Sequence, residues 1–427
     1  MGSIPTSPTK IELIMKIAFF SDCYLDLTGG IVSSINALKA ELERLGHTVY
    51  VFSTGFPRNE KELVKLAEQN IFVVPSCRLF FRGLTPVSRR PAVIEKWLEQ
   101  NFPELKDFDI FHIHYEGGCS IAGIRLGRKL GVPVVQTMHG REDMGEGNLI
   151  PYGLRTFVAI MLNLFHSWYL PHRRKVAQDE KSATNTARAK MWELMVNHAN
   201  YADVVVTPSQ HFKDKLLNYG VTQPIKVVPN GVKDELVESD VAARELKSGE
   251  KLRIVWHSRV SAEKRMMPFL EALTMVDAKR YHMDVYGGGG DYFRAKRFAK
   301  RHKLAVKFYN TTPFRPKVLR TMLAAQLDVL VSYDFDTFGM TLIEAEAVGL
   351  PVLFCDPEMC EVVPEGSFVM SDDATPASMA QALNDLLDHP ERVAEMSQVM
   401  LKKRDEVRQS RRVLPLIKIY EELRSTK

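Results

Sequence analysis

Short runs of apolar residues alternate along the chain with segments whose apolar positions recur every three or four residues. The first series of runs is KIAFFSD (16–22), TVYVFST (48–54), IFVVPS (71–76), FDIFHIH (108–114) and VPVVQTMHG (132–140), interleaved with helical stretches such as SSINALKAELERLGH (33–47) and IAGIRLGRKLG (121–131). Runs this short and this rich in Val, Ile and Phe fit strands covered on both faces of a parallel sheet. After IKVVPNGV (225–232) the pattern starts again with LRIVWHSR (252–259), YHMDVYGGGG (281–290), AVKFYNT (305–311), LDVLVSY (327–333) and LPVLFCD (350–356). The pattern predicts an α/β protein of two Rossmann-like, doubly wound domains, 15–235 and 236–410. The join is placed where the Asn230-Gly231 turn signal gives way to the charged stretch KDELVESDVAARELKSGEK (233–251). In such folds ligands sit beyond the carboxyl ends of the strands, so two facing domains enclose a cleft.

Composition narrows the picture modestly. A chain of 427 residues, 45% hydrophobic and 26% charged, is too long for one core and too apolar for disorder. Its five cysteines are scattered without metal-ligand spacing, which points to a reducing compartment and excludes a disulfide framework. Met15 before the first strand-like run reads as a natural start, so residues 1–14 are set aside as a leader or arm. With no secretory pattern there, a cytoplasmic location is expected. The formal charge of +5 is too weak to imply nucleic acid. It is concentrated: residues 155–190 carry seven Lys and Arg against two Asp and Glu.

The candidate chemistry lies at predicted strand ends. In DFDTFGMTLIEAEAVGLPV (334–352), Phe338 and Gly339 open a helix that buries Leu342, Ile343, Ala345 and Val348 and stops at Gly349 and Pro351. The free N–H groups of Gly339, Met340 and Thr341 suit an anion, a diphosphate above all. Asp336 precedes that helix and Glu344 lies about two turns into it, so both acids can face one cleft; the plainer alternative is a helix cap and a solvated acid. HSRVSAEKR (257–265) places Arg259 and Lys264 after a strand, a pair that by itself is as easily solvated as functional. DVYGGGGD (284–291) offers Gly287 and Gly289 for close backbone approach, without the spacing of a dinucleotide fingerprint. Gly29 and Gly30 stand between the first strand and its helix, His112 and His114 near the end of a later strand, and His139 at the end of another; a lone histidine is more often structural than catalytic. The Asp334-Phe335-Asp336 triplet has the form of an Asp-x-Asp metal site, but the arginine, lysine and helix dipole beside it already supply the positive charge a metal would bring.

Taken together these stretches resemble the retaining glycosyltransferases of family 4, in which an acid-x7-acid pair brackets a Phe-Gly turn and a Gly-x-Pro-Val segment follows. The first acid is usually Glu and is here Asp336. Pro208-Ser209 and Pro229-Asn230-Gly231 match further landmarks, so the likeness spans residues 16–425. The resemblance implies a GT-B fold whose C-terminal helix (411–427) packs back on the first domain, with the nucleotide-sugar donor held mainly by the second domain and the acceptor by the first. It implies that Asp336 lies by the donor sugar, Glu344 on the ribose hydroxyls, Arg259 and Lys264 on the diphosphate, the Gly287–Gly289 loop near the nucleotide, and His139 on the sugar hydroxyls. No metal and no other cofactor is expected. The expected reaction is transfer of a hexose, glucose from a UDP-sugar, with formation of an α-linkage. Rival readings are an epimerase or phosphorylase on the same architecture and a non-catalytic nucleotide-sugar-binding protein.

The acceptor reading comes from LRTFVAIMLNLFHSWYL (154–170), which is too short to span a bilayer, since a spanning helix needs about 20 apolar residues. An apolar, aromatic helix with Trp168 near its end, followed by Arg173, Arg174 and Lys175, suits the interface of an anionic membrane. CRLFFRGLTPVSRR (77–90) repeats the mixture with Arg78 and Arg82. Within the family this resembles the diacylglycerol glucosyltransferases, which implies a glycerolipid acceptor at the cytoplasmic leaflet. A buried helix with a solvated basic turn, and with it a soluble or polymeric acceptor, is the alternative.

Overall fold

The computed structural model describes residues 14–23, 29–57, 59–80, 84–141, 152–171, 176–177, 185–247, 249–309 and 315–426. Seven strands make the first sheet: β1 (Lys16–Ser21), β2 (Thr48–Ser53), β3 (Ile71–Val73), β6 (Ile110–Ile113), β7 (Val134–Thr137), β8 (Val204–Thr207) and β9 (Ile225–Val227), in the order β3-β2-β1-β6-β7-β8-β9. Between β3 and β6 in the chain, β4 (Ser76–Phe80) and β5 (Leu84–Ser88) form a separate antiparallel hairpin. The second sheet comprises β10 (Leu252–Trp256), β11 (Tyr281–Tyr286), β12 (Val306–Tyr309), β13 (Leu327–Leu330), β14 (Val352–Phe354) and β15 (Phe368–Met370), in the order β12-β11-β10-β13-β14-β15. Both sheets are parallel throughout. The hairpin, β8 and the short β15 lie outside the two series of apolar runs.

In each sheet the first strand sits in the middle. Chain order reverses there, between β1 and β6 in one domain and between β10 and β13 in the other. The loops leaving β1 and β6, and those leaving β10 and β13, therefore part in opposite directions and open a crevice at the carboxyl edge of each sheet. Both faces of both sheets carry apolar cores. Phe20, Phe52, Phe111 and Trp192 lie on one side of the first sheet, and Phe19, Ile35, Val51 and Val135 on the other. At about 25 cal/mol per Å² of apolar surface removed from water, this two-sided burial dominates the stability of each domain.

The chain crosses between domains twice. After β9 it passes through Val232, whose N–H donates to the Val407 carbonyl at 2.8 Å, and Val237 enters the second domain's core. It returns through the helix Gln409–Arg412 into the helix Leu414–Ser425, whose Leu416, Ile417, Ile419 and Tyr420 pack against Ile17, Phe19 and Val49 of the first domain. A final helix thus completes a core begun four hundred residues earlier, with the Tyr420 hydroxyl against the ring of His112.

Candidate active site

The two carboxyl edges face each other across a cleft of about 2160 Å³. Asp336, Phe338, Gly339, Met340, Thr341, Glu344, Arg259, Lys264 and Gly287 line it from the second domain, and Gly29, Gly30 and His139 from the first.

On the second-domain wall, Gly339 takes φ +70°, a conformation that costs other residues strain, and turns the chain into the helix Met340–Ala347. Leu342 and Ile343 are buried, which fixes the helix phase and leaves Glu344 on the cleft side. Gly339, Met340 and Thr341 of the helix start line the cleft, and the Thr341 hydroxyl is buried without a hydrogen-bond partner among the described residues. Lys264 donates to both oxygens of Asp336, at 2.6 and 2.8 Å, and the Ser332 hydroxyl donates to the same carboxylate. Asp336 is thus gripped by the lysine for which the resemblance implies a diphosphate contact. Arg259, with its side chain 62% exposed, swings to Glu263 at 3.1 Å. A long exposed arginine held by one acid four residues on is easily re-aimed, because such pairs contribute little net stability.

The glycine loop is built differently from its expected use. Gly287 and Gly289 both have φ +149°, and a Cβ at either would collide with backbone, at 2.1 Å from the Ser258 carbonyl oxygen and at 2.4 Å from that of Val260. Gly287 lines the cleft. Gly289 does not: it lets the loop lock onto Val260, whose N–H donates to the Gly288 carbonyl at 2.9 Å.

On the first-domain wall, Gly29 and Gly30 begin the helix Gly30–Arg44, and a Cβ at Gly30 would come within 3.5 Å of the Met340 side chain. Two helix N-termini, one from each domain, therefore converge on the same space and concentrate positive potential there. His139 Nε2 lies 3.0 Å from His114 Nδ1 with the rings stacked. Burial lowers the His139 pKa to about 4, so at neutral pH the ring is an uncharged hydrogen-bonding group. His112 is occupied by Tyr420 and Thr137 and lies away from the cleft.

The domains are tied together beside this site. Asp334, at φ +50°, accepts from Arg141 at 2.6 Å and from Lys215 at 2.9 Å, with Arg188 3.9 Å away. Thr337 donates to the His139 carbonyl at 2.6 Å, and Ser209 to the Thr337 carbonyl at 2.6 Å. The two acids of the Asp-x-Asp triplet therefore turn to different cations, Asp334 across the domain boundary and Asp336 to Lys264. No group of three or more His, Cys, Asp or Glu side chains fit to hold a metal ion occurs among the described residues.

Part of the first-domain wall is apolar, with Val32, Val87, Val93, Leu162, Phe165 and Leu194, beside the charged Asp22, Arg89, Arg90, Glu116 and Arg141. Leu162 and Phe165 belong to the helix Arg155–Tyr169, which docks through Ala159, Asn163 and His166. Its other side is a stripe at spacing three and four, Leu154, Phe157, Met161, Leu164 and Trp168, all exposed, with Phe157 at 63% and Trp168 at 83%. This helix is therefore not the core helix of the plainer reading. No helix among the described residues is long and apolar enough to cross a membrane. Of the remaining basic candidates, Arg78 falls in the strand β4, and Arg82, Arg173, Arg174 and Lys175 lie outside the described residues.

Two adjoining family models match the chain: Glycosyltransferase Family 4 over residues 28–236 and Glycosyl transferases group 1 over residues 238–402. With two facing doubly wound domains, the chain belongs to the GT-B glycosyltransferases. It is similar to the alpha-monoglucosyldiacylglycerol synthase of Streptococcus pneumoniae, 25% identical over 79% of this chain and 70% of that protein. It is similar as well to the synthase of the same name from Acholeplasma laidlawii, 24% identical over 79% of this chain and 80% of that one. Among solved structures, Anabaena HepE in complex with UDP-glucose superposes with a TM-score of 0.65 at 15% identity, covering 97% of this chain and all of that one.

Sequence reasoning passed over two groups that the fold brings to the site. Arg141 is two residues beyond His139, and its guanidinium, 5.5 Å from the Trp192 ring, lines the cleft. His257 stands in the same quoted loop as Arg259 and contacts Glu344. A histidine two positions before the loop arginine was the only local signal for it.

Proposed function

We propose that the protein transfers glucose from UDP-glucose to a membrane glycerolipid such as diacylglycerol, forming an α-glycosidic bond with retention and without a metal ion. The observation that carries the acceptor assignment is the continuity of apolar surface: Leu162 and Phe165 line the cleft from the same helix whose outer stripe, Phe157, Met161, Leu164 and Trp168, is exposed. A lipid headgroup enters the cleft while that stripe rests in the acyl boundary of an anionic leaflet on the cytoplasmic side, which makes the enzyme peripheral. The names of the two synthases and the UDP-glucose bound to HepE support the donor and acceptor classes.

In this reading the helix amides at 339–341, Arg259 and Lys264 stabilise the departing diphosphate, and preorganised donors of this kind supply the largest part of such catalysis. Neutral His139 orients a sugar hydroxyl. Asp336, steadied by Lys264 and Ser332, lies beside the sugar. The incoming lipid hydroxyl attacks from the face the diphosphate leaves, and a donor phosphate oxygen takes its proton. The test is incubation of the protein with labelled UDP-glucose and diacylglycerol in phosphatidylglycerol vesicles, in excess EDTA, with NMR of the product. An α-glucosyl lipid is expected. Efficient glucosylation of a water-soluble acceptor with no lipid product would replace the lipid assignment, and no donor turnover with any acceptor would leave a binding protein.

A further inference from the structure

We propose that His257 is a positioning residue for the nucleotide's ribose: anchored by Asp328 on one ring nitrogen, it faces Glu344 with the other and aims that carboxylate at the 2′ and 3′ hydroxyls. The proposal rests on the reading that a nucleoside diphosphate occupies the second-domain wall.

β10 and β13 are neighbouring parallel strands with Val255 opposite Asp328. His257 leaves the end of β10 with its side chain 3% exposed, and its Nε2 lies 3.1 Å from Oδ2 of Asp328, which is fully buried. The other Asp328 oxygen has no hydrogen-bond partner among the described residues. A buried carboxylate served by one imidazole is tolerated when that imidazole is charged, because an uncompensated buried charge is costly. The Nδ1 nitrogen lies 3.6 Å from Oε2 of Glu344, whose side chain is 33% exposed and on the cleft. The charged groups facing the ring are Asp328 from β13 and Glu344 from the helix Met340–Ala347. Burial opposes the charge, but the two carboxylates outweigh it and push the imidazole up to about 9. The ring is therefore a cation at neutral pH, wedged between an acid that cannot move and an acid that binds. A purely structural pairing needs only Asp328; the second contact, to an acid on the cleft wall, points to the ribose.

The test compares binding of UDP and of 2′,3′-dideoxy-UDP to the wild-type protein and to His257→Gln by calorimetry. UDP binding is expected to weaken about tenfold in the variant, the scale of a lost hydrogen bond to a charged group, while dideoxy-UDP binding changes less than about twofold. In transfer assays the donor KM rises and kcat is largely kept. Wild-type affinity for UDP falls as pH rises through about 9, where the ring loses its charge; the dideoxy analogue carries the same base and diphosphate, so their own titration cancels. Equal weakening of both ligands, or of neither, overturns the proposal. Should His257→Gln fail to fold, the wild-type pH series decides alone, since a ribose-independent profile overturns it too. If the wild-type protein binds neither UDP nor GDP, the donor reading itself fails and the inference falls with it.

Discussion

On the second-domain wall each charged side chain is met by a countercharge from its own domain, Lys264 by Asp336, Arg259 by Glu263 and Glu344 by His257. On the first-domain wall the cleft meets glycines, an uncharged histidine and charged groups such as Asp22, Arg89, Arg90 and Arg141, but also a row of aliphatic and aromatic side chains that continues onto an exposed helix. The difference is one of tolerance. Where such a pair is largely buried, as Lys264 with Asp336, each atom must be held in place, since removing one partner strands the other in a poorly solvated site. An apolar stretch of wall asks only for shape and area. The first arrangement suits a constant ligand and the second a fluid one.

The sharpest way to break this contrast is on the charged side. Lys264→Ala is expected to cut turnover on the order of a hundredfold or more, and Arg259→Ala to do the same through the diphosphate. Circular dichroism should show both folded, Arg259→Ala with the smaller change in melting temperature, because that side chain is 62% exposed. Near-normal turnover in both variants would strip the charged wall of its role.

On the apolar side, replacing Phe157, Met161 and Trp168 together by Ser should lower sedimentation with anionic vesicles by about tenfold or more, given roughly 1.5–3 kcal/mol for each large side chain fully buried. Activity on vesicle-borne lipid should fall with binding, and fall far less on a short-chain acceptor in solution. Vesicle binding that survives the triple change would move the membrane contact elsewhere.

The smallest effect expected is on stability against pH. Burial lowers the pKa of His112, His114, His139 and His198, so below about 6.5 the unfolded chain takes up protons that the native state refuses. Their contribution therefore declines as pH falls from 6.5 toward 4. His257 works in the opposite sense: with its pKa raised to about 9, its contribution is complete below 6.5 and is lost as pH rises through 9. Melting temperatures should fall on both sides of neutrality, and in His257→Gln the alkaline arm should flatten. An unchanged alkaline arm would show that the ring is not charged in the native state.

Much of this architecture was legible because it depends on local rules. Apolar runs of four to six residues rich in Val, Ile and Phe between amphipathic stretches read as buried parallel strands with helical cover. The phase of Leu342 and Ile343 in the helix Met340–Ala347 necessarily turns Glu344 to the opposite side, toward the acid-bearing loop. The missing Cβ of Gly289 was legible too, but not its reason: a glycine permits close approach equally to a ligand or to backbone, and here the neighbour is Val260.

What needed the tertiary structure was every pairing between distant charges. Asp334 and Arg141 are 193 positions apart in different domains, and His257 meets Asp328, 71 positions on, only because β10 and β13 are neighbours in one register. Whether the helix Arg155–Tyr169 is a core element or an exposed one was equally beyond the sequence, since apolar residues all round its surface fit either. The sequence by itself determined which segments become strands, helices and turns, because those preferences are set within a few residues. Which charges neutralise one another, and which apolar face is left to water, was decided only when the two sheets closed on each other, because Coulomb attraction and burial act through space and take no account of distance along the chain.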